Sequence, residues 1–355
     1  MRQSVLRRSV RPRASVLVTT ALTSVLLLAG CSATTETEST SGEASSPSSS
    51  TAFPVTIEGA LGSVTIEEEP VRVATWGWSS QDAVLALGVV PVAMPENVYG
   101  GNDDGILPWD AETIEALGGE TPQLLSGGDT GTVPFEEFVE AAPDVILAPY
   151  SGLTQEDYDT LSKIAPVVAY PEEAWALPWQ DQLTIIGQAL GKTAEAEALL
   201  ADVDTQIADL AAANSVIDGK TFVYVSALEA DKLNIFRSSD PRVDLLTQLG
   251  MEVSANVADL DADPSAGSYF YQLSYENLGQ IDADLIVGYF DSQASVDTFL
   301  ADPLVAAMPA IQEGRFAPVV GESFVMASSA PTALSIPWML DQYVPQLAAA
   351  AEKIN

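Results

Sequence analysis

The chain has 355 residues, 47% of them hydrophobic, with 14 Lys or Arg against 50 Asp or Glu, and a formal net charge of −36. So acidic a chain is a poor partner for nucleic acid or an anionic membrane surface, and a solvated surface that resists aggregation is the plain reading of the charge. It contains no histidine, which excludes Ser-His-Asp hydrolysis, Cys-His proteolysis and histidine-based capture of bare zinc or manganese.

Residues 1–30 read as a secretory leader: Arg2, Arg7, Arg8, Arg11 and Arg13 precede an apolar run, Ala14 to Leu28, too short to span a bilayer comfortably. Leu28-Ala29-Gly30-Cys31 resembles the bacterial lipobox, in which cleavage precedes the cysteine and its thiol is joined to a diacylglycerol. Cys31 is the one cysteine of the chain, so no intrachain disulfide can form and stability has to come from a packed core. Without the leader, nine basic residues face fifty acidic ones, a net charge of −41. The remaining length exceeds what one hydrophobic core usually supports, so two lobes are expected. Cys31 and the Ser/Thr/Glu-rich residues 32–52 lack the apolar content to fold and read as a tether with a reach of about 25 Å.

From Phe53 onward short β-branched runs alternate with helical patterns, the signature of α/β crossovers. Val71 to Thr75 reads as a strand. Ser79 or Ser80 then caps a helix whose Ala83, Val84 and Leu87 share a face before Gly88 ends it. Val89 to Met94 reads as a second strand, Pro143 to Ala148 as a buried one, Gln155 to Lys163 as a helix and Val167 to Tyr170 as a further strand. Residues 193–214 are rich in Ala, Leu and Glu, lack Gly and Pro, and repeat apolar residues at Leu199, Val203, Ile207 and Leu210, which predicts one unbroken helix of about 30 Å. Strands resume at Thr221 to Ser226. The pattern Glu136-(x)7-Asp144-Val145-Ile146-Leu147 then returns as Glu276-(x)7-Asp284-Leu285-Ile286-Val287, as in a divergent duplication of one unit.

The segments VRVATWGWSSQDAVLALGVVPVAM, APDVILAPY, NIFRSSDPRVDLLTQLGM and SSAPTALSIPWMLDQYVPQL, with the long helix between them, resemble the periplasmic-binding-protein family that serves siderophore, haem and cobalamin importers. The resemblance runs from about Phe53 to the C-terminus and is nearest to ferric-siderophore binders of high-GC Gram-positive bacteria. It implies an α/β fold of two Rossmann-like lobes joined by a single long rigid α-helix, the class III periplasmic-binding-protein fold. The implied boundaries are an N-terminal lobe at 53–178, an inter-lobe helical segment at 179–214 with its spacer helix at 194–213, and a C-terminal lobe at 215–355. It further implies a monomeric lipoprotein held on the outer face of the cytoplasmic membrane through Cys31, which is not an enzyme and has no cofactor. Its partners would be a ferric siderophore as transported ligand and an ABC permease with its ATPase, met through one surface glutamate on each lobe. Glu136 and Glu276 match those positions, with Glu137 and Glu140 as near neighbours of the first.

In that family the ligand cleft lies between the lobes at the strand ends. The residues expected there are Trp76 and Trp78 after the first strand, Tyr150 after APDVILAP, Trp175 before the spacer, and Tyr289 after the second-lobe strand. Aromatic faces suit a bulky, partly apolar ferric complex, and a cation has to meet its oxygens. Arg237, in a Ser/Asp loop beside a predicted strand, is the candidate, against a plain ion pair with Asp240 or Asp244. Trp109 and Trp338 read as structural. The same fold binding haem, through Tyr150 or Tyr289, or cobalamin is an alternative ligand assignment. An exported lipid-anchored glycosidase and an envelope-structural lipoprotein are the alternatives from other classes, and no carboxylate pair stands at an interpretable spacing for the former. Neither a P-loop, a GxGxxG nor an EF-hand loop occurs; 102–105 and 261–263 read as turns.

Overall fold

A computed structural model describes residues 53–354 except 129 and 265–268; the leader, Cys31 and the tether lie outside the described residues. A short hairpin of β1 (Val55–Ile57) and β2 (Val64–Ile66) opens it, antiparallel with Val55 opposite Ile66. Five strands follow: β3 (Val73–Thr75), β4 (Ala93–Pro95), β5 (Gln123–Leu125), β6 (Val145–Ala148) and β7 (Val167–Ala169). They form a parallel sheet in the order β5-β4-β3-β6-β7. The chain therefore winds outward one way from β3 and then returns to lay β6 on its other side, which makes the β3/β6 edge a topological switch point. Both faces of this sheet are covered, and β3, β4, β6 and β7 are fully buried, as a parallel sheet requires.

The second sheet starts with β8 (Thr221–Glu229), which turns through Asp231, in the left-handed region at φ 62°, into β9 (Lys232–Phe236). Next come β10 (Glu252–Val253), β11 (Phe270–Ser274), β12 (Leu285–Phe290) and β13 (Phe316–Val320). β10, β12 and β13 run parallel to β8 in the order β10-β8-β12-β13, while β9 and β11 add an antiparallel extension. The switch point here lies between β8 and β12. Each half thus repeats the same parallel nucleus, in accord with the internal repeat of the sequence.

One helix, Thr193–Ala213, connects the two halves. Its 21 residues match the predicted span and reach about 30 Å at 1.5 Å per residue. Ala196, Val203 and Ile207 form its buried stripe. The N-terminal end packs on the helix Trp179–Ala189, where a side chain at Gly187 would meet Cβ of Ala196 at 2.6 Å. The C-terminal end packs on the final helix, Ser335–Ala351. The helix Trp179–Ala189, expected in an inter-lobe segment, instead packs on Ser80–Ala86 and β1 and completes a layer of the first half. One apolar core runs through this side of the molecule from Val84 and Leu183 past Val203 and Ile207 to Tyr343 and Leu347. Burial of that continuous surface, at about 25 cal/mol per Å², ties the halves together without a disulfide.

Several local expectations are adjusted. The second strand lies at Ala93–Pro95 rather than 89–94. Ser79 does stand at the start of the helix Ser80–Ala86, but in the left-handed region at φ 59°, and its hydroxyl caps nothing. The turn at 102–105 forms as expected, Asn102 Oδ1 accepting from the amides of Asp104 and Ile106.

Candidate functional site

A cleft of about 1160 Å³ opens between the halves where β3, β6 and β12 end. That is at or above the upper end of the range that accommodates drug-sized ligands. Its position follows from topology, since loops leaving a switch point diverge and leave a crevice between them.

The wall on the first half is aromatic. Gly77, at φ 85°, lets the β3 loop cross the β6 loop, because a side chain there would meet the Tyr150 carbonyl oxygen at 2.3 Å. The Trp78 amide donates to that same carbonyl at 3.0 Å, and Gln182 Nε2 donates to the Trp78 carbonyl at 3.0 Å. So fixed, Trp78 meets Trp175 edge-on at 6.2 Å, and Tyr150 meets Trp175 edge-on at 5.6 Å. Trp175 seats against the unsubstituted Gly152, and its own backbone sits at φ 61°, a costly conformation for a bulky residue that has to be held by its surroundings. Trp78 and Trp175 remain 44% and 45% exposed, so both rings face open space in the cleft. Trp179 and Tyr99 extend the same wall. Burial raises the Tyr150 hydroxyl above the ordinary phenol value, a nearby guanidinium partly opposing it, so the hydroxyl borders the cleft as a neutral donor.

The wall on the second half is built around Arg242. Asp240 caps the helix Pro241–Gln248, accepting from the Arg242 amide at 2.9 Å with Pro241 at the first helical position. The same carboxylate takes Nε and Nη2 of Arg242, both at 2.8 Å, while Nη1 donates to Ser329 at 3.0 Å. Asp240 is buried and Arg242 nearly so. The guanidinium carbon lies 4.3 Å from the Phe236 ring centre, 5.5 Å from that of Tyr269 and 5.6 Å from that of Tyr289, within cation–π range. Burial is the largest single influence and works to lower its pKa, but the hydrogen bond to Asp240, the Asp240 charge and the nearby Tyr224 and Tyr289 together hold it above the ordinary arginine value.

Polar bonds cross between the halves, the first of them at the edge of the cleft. Tyr99 donates to Asp291 at 2.5 Å and Ser323 to the Gly100 carbonyl at 2.6 Å. Thr332 donates to Asp82 at 2.7 Å, and Trp109 Nε1 donates to the same oxygen at 2.6 Å. Beneath them Asp82 and Asp110 are fully buried together, with Gln81 donating to Asp110 at 3.2 Å. Burial pushes the Asp82 carboxyl up to about 6, and burial together with the Asp82 charge raises Asp110 well above the carboxylate range.

A model of the periplasmic-binding-protein family matches residues 73–318, more than half of the chain. The chain is a periplasmic binding protein. Its relatives include the probable siderophore-binding lipoprotein YfiY of Bacillus subtilis, 28% identical over 275 residues, covering 77% of this chain and 78% of the relative. The ferric enterobactin-binding periplasmic protein FepB of Escherichia coli is 26% identical over 284 residues, covering 77% and 86%. Among solved structures, PiaA of Streptococcus pneumoniae in complex with ferrichrome is 34% identical with a TM-score of 0.72, covering 85% of this binding protein and 100% of PiaA. The two doubly wound sheets on one connecting helix are the class III form of the fold.

Four of the six cleft candidates, Trp78, Tyr150, Trp175 and Tyr289, line the cleft of the binding protein. Trp76 does not. It is 3% exposed and packs edge-on to Phe138 at 5.9 Å. Two residues apart, Trp76 and Trp78 would share a face in a strand, but the positive φ at Gly77 breaks that period and turns them to opposite sides. Arg237 does not line the cleft either. Its Nε donates to Asp261 at 2.8 Å and Nη2 to the Asp263 carbonyl at 2.9 Å, so its ion pair is with Asp261 rather than Asp240 or Asp244.

Arg242, Tyr99, Trp179 and Tyr269 escaped the sequence reading. The Asp240-Pro241-Arg242 run carried a signal for the first: Asp followed by Pro marks a helix start, and an arginine two residues past the cap can fold back onto the capping carboxylate. Trp109 and Trp338 are structural as read, ring centres 5.2 Å apart. Glu136 opens the helix Phe135–Ala141, and Glu276 stands in the 3-10 turn Tyr275–Gln280 rather than an α-helix. Both side chains are exposed, whereas Glu137 is engaged by the amide and hydroxyl of Ser126 at 2.8 and 2.7 Å. Among the described residues no cluster of His, Cys, Asp or Glu forms a metal site and no helix is long and apolar enough to cross a membrane.

Proposed function

We propose that this binding protein captures a ferric siderophore between its two halves and delivers it to an ABC importer for iron uptake, without chemical change to the ligand. The observation that carries the reading is the cleft itself: a volume of about 1160 Å³ at the switch points of both sheets, walled by exposed indole rings on one side and a guanidinium on the other. The ferrichrome-bound neighbour and the siderophore-binding relatives support it. In this reading Trp78, Trp175 and Tyr150 embrace the organic shell of the complex, while Arg242 and Tyr289 meet its oxygens. The connecting helix limits lobe closure to a small angle, because a continuous rod with packed ends lacks the crossing loops of a wide hinge.

The proposal extends to the chain outside the described residues and to its partners. Residues 1–30 act as the leader, Cys31 carries the lipid that holds the protein at the outer face of the cytoplasmic membrane, and residues 32–52 tether a monomer whose lobes meet near the ends of the Thr193–Ala213 helix. Glu136 and Glu276 dock the loaded protein on the permease through exposed charge pairs, each weak by itself and sensitive to salt.

Titration of tryptophan fluorescence with ferric siderophores, haem, cobalamin and a buffer control tests the ligand. Quenching by a ferric siderophore at micromolar or lower concentration is expected, and a response confined to haem or cobalamin overturns the reading. Replacing both Glu136 and Glu276 by alanine is expected to leave that titration unchanged and to stop iron uptake in cells. Undiminished uptake would remove both residues from docking.

A further inference from the structure

We infer that the cleft selects ferric complexes with no net negative charge, that is tris-hydroxamates, over tris-catecholates and polycarboxylates. This rests on the proposed capture of a ferric siderophore and names the chemical class within it.

Few charged groups border the cleft, and almost all of them are acidic. Nine Lys and Arg follow residue 30, all within the described residues, and of these Arg242 alone borders the cleft. That guanidinium is already committed: Asp240, 1% exposed, accepts from both its Nε and Nη2. Of its five N–H donors, three are used by Asp240 and Ser329, which leaves two for a ligand and no uncompensated positive charge. Arg237, the nearest other arginine in sequence, is turned away onto Asp261. Glu96, Asp244 and Asp291 border the same cleft with no cation set against them there. Acidic residues are common throughout this chain, so their presence says little; the lack of any free cation is the informative part.

Siderophore classes differ in the net charge of their ferric complexes. Three hydroxamates, each carrying one negative charge, cancel the charge of Fe(III), and a pendant ammonium makes the complex positive. Three catecholates, each doubly charged, leave the complex at three negative charges, and carboxylate complexes are anionic as well. To bring a trianion into a cleft of net negative charge costs both its hydration and direct repulsion. A neutral complex meets neither cost, and the exposed indoles and phenols supply apolar area and neutral hydroxyl donors. An ammonium arm is met by Glu96, Asp244 or Asp291.

The test is a set of fluorescence titrations of the purified protein with ferrichrome (neutral), ferrioxamine B (positive) and ferric enterobactin (three negative charges) in one buffer. Ferrichrome and ferrioxamine B are expected to bind about 100-fold more tightly than ferric enterobactin. Equal or tighter binding of ferric enterobactin overturns the class assignment while leaving siderophore capture standing; failure of all three to bind removes siderophore capture and the class assignment with it. Asp244→Lys provides an independent arm, since Asp244 is exposed and its carboxylate bonds only Gln248 among the described residues. It is expected to tighten ferric enterobactin binding about fivefold and to weaken ferrioxamine B binding by a similar factor. If Asp244→Lys shifts both ligands alike, charge does not set the selectivity.

Discussion

The two halves anchor their sheets by one device and face the cleft with different chemistry. In the first, Asp144 immediately precedes β6 and accepts the amides of Val71 and Arg72, at 2.7 and 2.9 Å, which fixes the start of β3. In the second, Asp284 immediately precedes β12 and accepts the amide and hydroxyl of Thr221, at 2.9 and 3.0 Å, which fixes the start of β8. The repeated Asp thus ties each switch-point strand to its neighbour at the end remote from the cleft. At the cleft end the halves diverge. The first sends out tight glycine-bearing loops that present indoles, and the second lays a capped helix and an antiparallel pair, β9 and β11, that bury a guanidinium against three rings. A duplicated scaffold conserves what holds the sheet, and its open end is where the chemistry departs.

Substitutions that break this contrast differ in size and in what they alter. Trp76→Ala is expected to have the largest effect, a loss of about 4 kcal/mol of stability for a fully packed aromatic, seen as a lower urea midpoint. Arg242→Ala follows at about 3 kcal/mol, because it strands the buried Asp240. Arg242→Met combined with Asp240→Asn is expected to recover most of that stability and none of the ligand affinity. By contrast, Arg237→Ala is expected to leave the fluorescence titration unchanged, and weaker binding by that variant would return Arg237 to the site.

Trp175→Ala comes next, with an expected loss of about 2 kcal/mol in binding, roughly 30-fold in Kd, at little cost to stability because the ring is 45% exposed. The smallest effect concerns the junction of the halves, where Asp82 of one accepts from Thr332 of the other. A carboxyl raised from 3.8 to about 6 holds its proton more tightly in the folded chain than in the unfolded one. Its contribution is therefore complete below pH 4 and is lost as pH rises through about 6. Unfolding measured at pH 4.5 and 7.5 should show Asp82→Asn gaining on the parent protein at the higher pH, and a constant difference would contradict the assignment.

The scaffold was readable in the sequence because it rests on periodicity. The connecting helix shows its stripe at Ala196, Val203 and Ile207, and the strands at 145–148, 167–169 and 221–226 are short apolar runs rich in β-branched residues. Trp78 and Tyr150 were readable because they stand shortly after strands, and Tyr289 because it stands at the end of one. Trp76 was misplaced since the reversal depends on one dihedral at Gly77, which residue types do not encode. Arg237 leaves the cleft since partner choice among Asp240, Asp244 and Asp261 is set by tertiary position; Asp261 is 24 residues distant in the chain. Tyr99 and Tyr269 sit in loops without a pattern, and only the closed fold brings them to the cleft.

A bulky iron complex lodges, on this reading, between an indole wall and a guanidinium whose charge Asp240 compensates. Crystals grown with ferrichrome and measured at the iron absorption edge locate the metal without reference to the protein coordinates. The account predicts one strong anomalous peak in the cleft, between the Trp78–Trp175 pair and Arg242. An iron peak outside the cleft, or a cleft left empty in crystals that contain the complex elsewhere, would contradict it.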